Sequence, residues 1–96
     1  MNDLQYQSTN ITAAAPTTTV IATGTGKLHS ITFNKPVATG VVTVYNNTAA
    51  SGTVLATITT PASPMPVTLV YDIVFGIGLT ITSATAAQDI TVSWAQ

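Results

Sequence analysis

Apart from three tyrosines, this chain offers one imidazole, three carboxylates and two amines for chemistry. His29 is the single histidine, Asp3, Asp72 and Asp89 are the acids, Lys27 and Lys35 the bases, and cysteine is absent. One imidazole per chain cannot build a His-rich metal centre, and thiolate ligation is excluded. Only a threefold assembly placing three copies of His29 on its axis would supply such a site. Glycoside hydrolysis needs two carboxyls about 5–10 Å apart across a cleft. Asp72 falls in mid-strand and Asp89 at a strand start, so they meet only if their strands pair, and nothing nearby marks a cleft. Charges so placed usually guard strand edges against wrong pairing. Asp72 with Lys35, or Asp89 with Lys27, are the surface pairs to expect. Ser and Thr are abundant, but no Gly-x-Ser-x-Gly elbow occurs, and one His would have to serve any triad. Gly24-Thr25-Gly26 and Gly76-Ile77-Gly78 lack the helix that a phosphate cradle requires, so both are expected as turns. Asn10-Ile11-Thr12 and Asn46-Asn47-Thr48 fit the glycosylation pattern, which a Thr-rich chain meets easily. The expectation is a protein that is not an enzyme and takes no metal or cofactor.

Aromatic side chains remain as ligand-binding candidates. Phe33, Tyr71, Phe75 and Trp94 share phase with apolar neighbours and are expected in the core. Tyr6 and Tyr45 are the two that alternation leaves for the surface, fewer than the row of exposed rings a carbohydrate-binding face would show.

The elements that must position these residues are all strands. Residues 17–23 (TTTVIAT), 27–34 (KLHSITFN), 41–45 (VVTVY), 54–58 (VLATI), 67–75 (VTLVYDIVF), 79–82 (LTIT) and 89–95 (DITVSWA) are short, β-branched and mostly alternating. In the second, His29, Ile31 and Phe33 share one face, while Leu28 is out of phase and marks a possible bulge. In 67–75 the residues Val67, Leu69, Tyr71, Ile73 and Phe75 line one face, and Thr68, Val70, Asp72 and Val74 the other. Val42 and Val44, Leu79 and Ile81, and Ile90, Val92 and Trp94 are further inward sets. Residues 39–58 hold two strands joined by the polar turn at 46–53, and 60–66 (TPASPMP) is a proline-stiffened loop. No segment has sustained helical periodicity. The fold expected is all-β, a single antiparallel β-sandwich of about seven to eight strands, jelly-roll or immunoglobulin-like; strand count does not choose between these. Residues 1–15 are expected as an extended N-terminal arm, anchored by Leu4, Tyr6 and Ile11, that either lacks order alone or pairs with a neighbour's sheet edge. Residues 16–96 form the sandwich domain.

Composition narrows the function. Only 5% of the 96 residues are charged, against about 25% in an ordinary soluble domain. Threonine fills roughly a fifth of the chain, suiting strand faces that meet water without charge. With a mean hydropathy of +0.45, little electrostatic repulsion opposes association, which points to a permanent partner. A net charge of −1 argues against nucleic acid, which requires clustered Lys and Arg. No run of about 20 apolar residues exists to span a membrane as a helix. The first residues, MNDLQYQSTN, carry neither a basic nor an apolar leader, so synthesis in the cytoplasm without a signal peptide is expected.

Residues Val44 to Thr53, Tyr71-Asp72, Gly78 to Ile81 and Asp89 to Val92 resemble a pattern shared by small proteins of tailed bacteriophages. That pattern is a Val/Ile-Tyr-Asn/Asp-Asn-Thr-x-Ala-Ser-Gly-Thr strand–turn–strand, then Tyr-Asp, a Gly-Leu-Thr-Ile strand and a closing Asp-Ile-Thr-Val. The similarity covers about the last two-thirds of the chain, and its motifs are structural. It implies an all-β virion structural protein on the outside of the head, of the decoration or cement kind. It further implies contacts with the lattice of the major capsid protein, a homo-oligomer (a trimer ahead of a dimer), and an arm that grips capsid subunits. Leu4, Tyr6, Ile11 and Tyr45 are the candidate capsid or subunit contacts. The arm carries fewer aromatic and charged anchors than many such proteins. The alternative is a binding module of tail-fibre or carbohydrate-binding type.

Overall fold

The computed structural model describes residues 6–12 and 16–96 and contains eight strands and no helix among them. They are β1 (Gln7–Ile11), β2 (Thr17–Thr23), β3 (Gly26–Lys35), β4 (Val41–Asn46), β5 (Thr53–Thr59), β6 (Val67–Phe75), β7 (Gly78–Ala84) and β8 (Asp89–Ala95). Seven of them fall where alternation and turn residues place strands. Two four-stranded antiparallel sheets result, in the orders β1-β8-β3-β6 and β2-β7-β4-β5.

Four of the pairings are nested. β4 pairs with β5, β3 with β6, β2 with β7 and β1 with β8. The chain is therefore one long hairpin whose tip is the turn after Asn46. Pairings of β3 with β8 and β4 with β7 roll that hairpin into two layers. This is the jelly-roll arrangement of eight strands, four to a sheet, and it resolves the choice that strand count left open. Since β1 to β4 alternate between sheets, most connections cross from one layer to the other. Gly78 sits at one such crossing: a Cβ there would come within 2.9 Å of the Ala22 and Asn47 carbonyl oxygens.

Inward side chains of both sheets form one core. Leu28, Ile31 and Phe33 of β3, Val42 and Val44 of β4, and Phe75 of β6 are buried. Leu79 and Ile81 of β7 with Ile90, Val92 and Trp94 of β8 complete it. The alternation read in 67–75 holds, with Phe75 fully buried and Val70 and Val74 facing out. Val67, in phase with the inward set, is exposed because it lies at the strand's beginning, at the end of the proline loop.

Three expectations need correction. Residues 7–11, inside the stretch expected as an arm, form β1 and pair with β8 of the same chain. Ile11 is buried at 6% exposure in that chain's own core. The reason is the closing strand: β8 carries buried Ile90, Val92 and Trp94 and needs a second neighbour. β1 supplies one, covering Ile90 with Ile11 in register and placing Thr9 Oγ1 to accept from the Trp94 indole N–H at 3.3 Å. Second, His29 does not share the face of Ile31 and Phe33. The register of β3 shifts between Leu28 and Ser30 against both neighbours, so Leu28 turns inward and the bulged His29 turns out. Third, the surface charges pair the other way round. Lys27 Nζ lies 3.8 Å from Asp72 Oδ1, and Lys35 is in register with Asp89, because β6 and β8 flank β3 and place the two acids near its opposite ends.

The polar junctions that hold the crossings are made by buried or turn side chains. Gln88, only 2% exposed, treats Val37 as a strand partner: its Oε1 accepts from the Val37 N–H at 2.8 Å and its Nε2 donates to the Val37 carbonyl at 2.9 Å. Thr60 Oγ1, also buried, accepts from Gly40 N–H at 2.8 Å. At the other end, Asn46 Oδ1 accepts from the backbone N–H groups of Gly76 and Ile77 at 3.1 and 3.0 Å. Asn47 Nδ2 closes the hairpin tip on the Ser51 carbonyl at 2.9 Å. The Asn46-Asn47 pair is thus spent on the backbone.

Candidate functional site

Among the described residues, charged side chains are confined to one layer. Lys27, Lys35, Asp72 and Asp89 all lie on strands of the β1-β8-β3-β6 sheet, and the β2-β7-β4-β5 sheet has no charged residue. Across the second sheet, Thr18, Thr82, Thr43 and Thr57 are successive register partners, a threonine row spanning all four strands.

On the first sheet the β3 bulge builds a compact cluster. Asp72 sits opposite the bulge with φ of 51°, a left-handed conformation that Asp tolerates better than most residues. That turn brings its Oδ1 to 2.7 Å from His29 Nδ1. A carboxylate can only accept, so Nδ1–H is the donor, and the neutral ring keeps Nε2 as an acceptor. The His29 hydrogen bond, with Lys27 next, holds the Asp72 carboxyl below its usual range. Tyr6 stacks on the His29 ring at 4.3 Å between centroids and 20° between planes. Tyr6 directly precedes β1, and β1 and the His strand β3 both flank β8, so the phenol ring bridges across that strand.

A second cluster lies toward the other end of β8. Asp89 Oδ1 accepts from Asn10 Nδ2 at 2.9 Å and Asn34 Nδ2 at 3.1 Å. These two bonds, with Lys35 contributing, hold the Asp89 carboxyl below its usual range. Asn34 Nδ2 donates also to Thr91 Oγ1 at 2.9 Å. Three strands, β1, β8 and β3, are tied together by it. Among the described residues no three His, Cys, Asp or Glu side chains converge as a metal site would need.

The third feature is apolar. Among the described residues nine large hydrophobic side chains are exposed, and five of them, Met65, Val67, Val70, Val74 and Ile77, lie on β6 or beside it. Val70 and Val74, at 63% and 65% exposure, stand on the solvent face of a strand whose outer edge is unpaired. Scattered exposed valines need no explanation; a run of them along a free edge does.

Of the contact candidates taken from the sequence, Leu4 lies outside the described residues. Tyr6 is half-exposed and belongs to the His29 cluster. Ile11 is a core residue, and Tyr45 is half-buried on the other sheet, in register with Thr80 and Val54. They do not form one surface. The stronger apolar run is visible in the sequence as Val70 and Val74 on the face opposite Leu69 and Tyr71. The Asn10–Asn34–Asp89 cluster had no sequence signal, because it joins residues 10, 34 and 89 through register alone. No protein-family model, curated protein or solved structure matches this chain.

Proposed function

We propose that the protein is a structural component of a tailed-phage virion that decorates or cements the outside of the capsid. It docks on the lattice of the major capsid protein, and on its own copies, through protein–protein contacts at β6. The observation that carries the proposal is the apolar run on β6 and its flanks, set along an unpaired strand edge. Such an edge offers a partner backbone hydrogen bonds and, through alternate side chains, apolar contact. Two further facts support it. The resemblance to tailed-phage proteins falls on the hairpin tip, on β6 and on the closing strands. The jelly roll is, besides, an architecture that viral capsid domains use.

The test is co-sedimentation with purified capsids of a host phage lacking its own decoration protein, alongside sedimentation velocity of the free protein. Saturable pelleting, with a dimer or trimer in solution, is expected. A monomer that stays in the supernatant at every capsid concentration contradicts the proposal.

A further inference from the structure

The outer face of the β1-β8-β3-β6 sheet carries groups that the capsid reading leaves unused. At the Asn10–Asn34–Asp89 cluster, hydrogen-bond direction decides what could bind. Asn34 Nδ2 is spent on Asp89 and Thr91, and Asn10 Nδ2 on Asp89 and the Ile90 carbonyl at 2.9 Å. The groups left over are acceptors: the two amide oxygens, which make no hydrogen bond within the described residues, and the second carboxylate oxygen of Asp89. A ligand here must therefore donate. A cation is opposed by Lys35, in register with Asp89, and by the amide hydrogens already directed at Oδ1. The donors that remain are neutral, hydroxyls or uncharged N–H groups, and the aromatic ring at the other end of the face favours hydroxyls carried on a sugar ring.

The other end of the face supplies a ring. Tyr6 presents a half-exposed phenol, held flat by its stack on His29, with Asp72 and Lys27 beside that imidazole. Between the two ends β8 runs from Thr91 to Ala95, four residues or about 13 Å at a strand's rise of about 3.3 Å. The side chains along it there, Ser93 and Ala95, are short. The sheet's four charged residues are two of each sign, so the face has no net charge with which to select an ion.

We propose that this face binds a neutral oligosaccharide, its hydroxyls donating to the Asn10–Asn34–Asp89 acceptors and one sugar ring resting on Tyr6. The site needs no capsid, so its fate is independent of the docking proposal.

The experiment is an NMR titration of the full chain, isotope-labelled, with neutral linear tetrasaccharides of glucose, mannose and galactose, and with a sulfated tetrasaccharide as the charged comparison. At least one neutral sugar is expected to give saturable shifts on β1, β3 and β8. Tyr6→Ala and Asn34→Ala, at opposite ends of the face, should each weaken binding about tenfold. Thr57→Ala, on the other sheet, should leave it unchanged. Both site variants are surface changes whose folding the same spectra report. Absence of saturable shifts with all neutral sugars overturns the proposal. So does preference for the sulfated chain, or shifts confined to the β2-β7-β4-β5 sheet.

Discussion

Asp72 shows how much one residue's backbone can decide. In mid-strand it adopts a left-handed conformation, and the accompanying bulge converts an expected core-facing histidine into a surface one. The sequence announces part of this: Leu28 breaks the alternation of His29, Ile31 and Phe33. It does not say which residue moves, because a bulge shifts phase on one side only. The charge consequences are testable. The Asp72 carboxyl is held below its ordinary value chiefly by His29, and Asp89 below its own by Asn10 and Asn34. A carboxyl depressed on folding stabilises the native state above the unfolded value, near pH 4, and that stability is lost as pH falls through the folded value. The melting temperature should therefore drop as pH falls below about 4, and the drop should be shallower in Asp72→Asn, which keeps a residue tolerant of the left-handed region. An unchanged pH profile for that variant would mean the His29 bond does not survive in solution. Thr85 is a second backbone outlier, a β-branched residue at φ 75° on an exposed turn. Relief of that strain in Thr85→Asn should raise stability by about 1 kcal/mol, read from thermal or urea unfolding.

At the scale of elements, strands 2 to 8 were legible because each has β-branched alternation and, in all but β8, a Gly, Pro or Asn boundary. β1 was not. Its five residues, QSTNI, include one large apolar side chain, and what makes them a strand is the need of β8 for a neighbour, a long-range fact. With β1 in the sheet, deleting residues 1–15 should destabilise the fold. Ile11→Ala alone should cost about 2–4 kcal/mol in chemical denaturation, and a cost near zero would return this segment to the status of a detachable arm. The crossings depend likewise on residues without a pattern. Gln88 looks like one polar turn residue among several, yet it is buried and bonds both backbone groups of Val37. Gln88→Ala removes both bonds and leaves the part-buried Val37 N–H without its partner, so a loss of about 1–2 kcal/mol is expected, measurable as a shift in the urea midpoint.

At the scale of the molecule, the tip of the rolled hairpin is structural: its Asn46 and Asn47 serve turns and crossings. Two sheets differ in chemistry: one uncharged and threonine-rich, the other charge-balanced with two polar clusters and, along its edge strand β6, the apolar run. If β6 is the docking edge, a single ammonium there should block it, as edge lysines do in natural sheets. Val70→Lys and Val74→Lys should leave stability within about 0.5 kcal/mol of the parent, as exposed substitutions usually do, while abolishing capsid pelleting. The most direct measurement is a cryo-electron microscopy reconstruction of capsids saturated with the protein. It should place β6, with Val70 and Val74, against the capsid lattice or against a neighbouring copy. Density that turns β6 to solvent, or capsids that remain bare, would contradict the account.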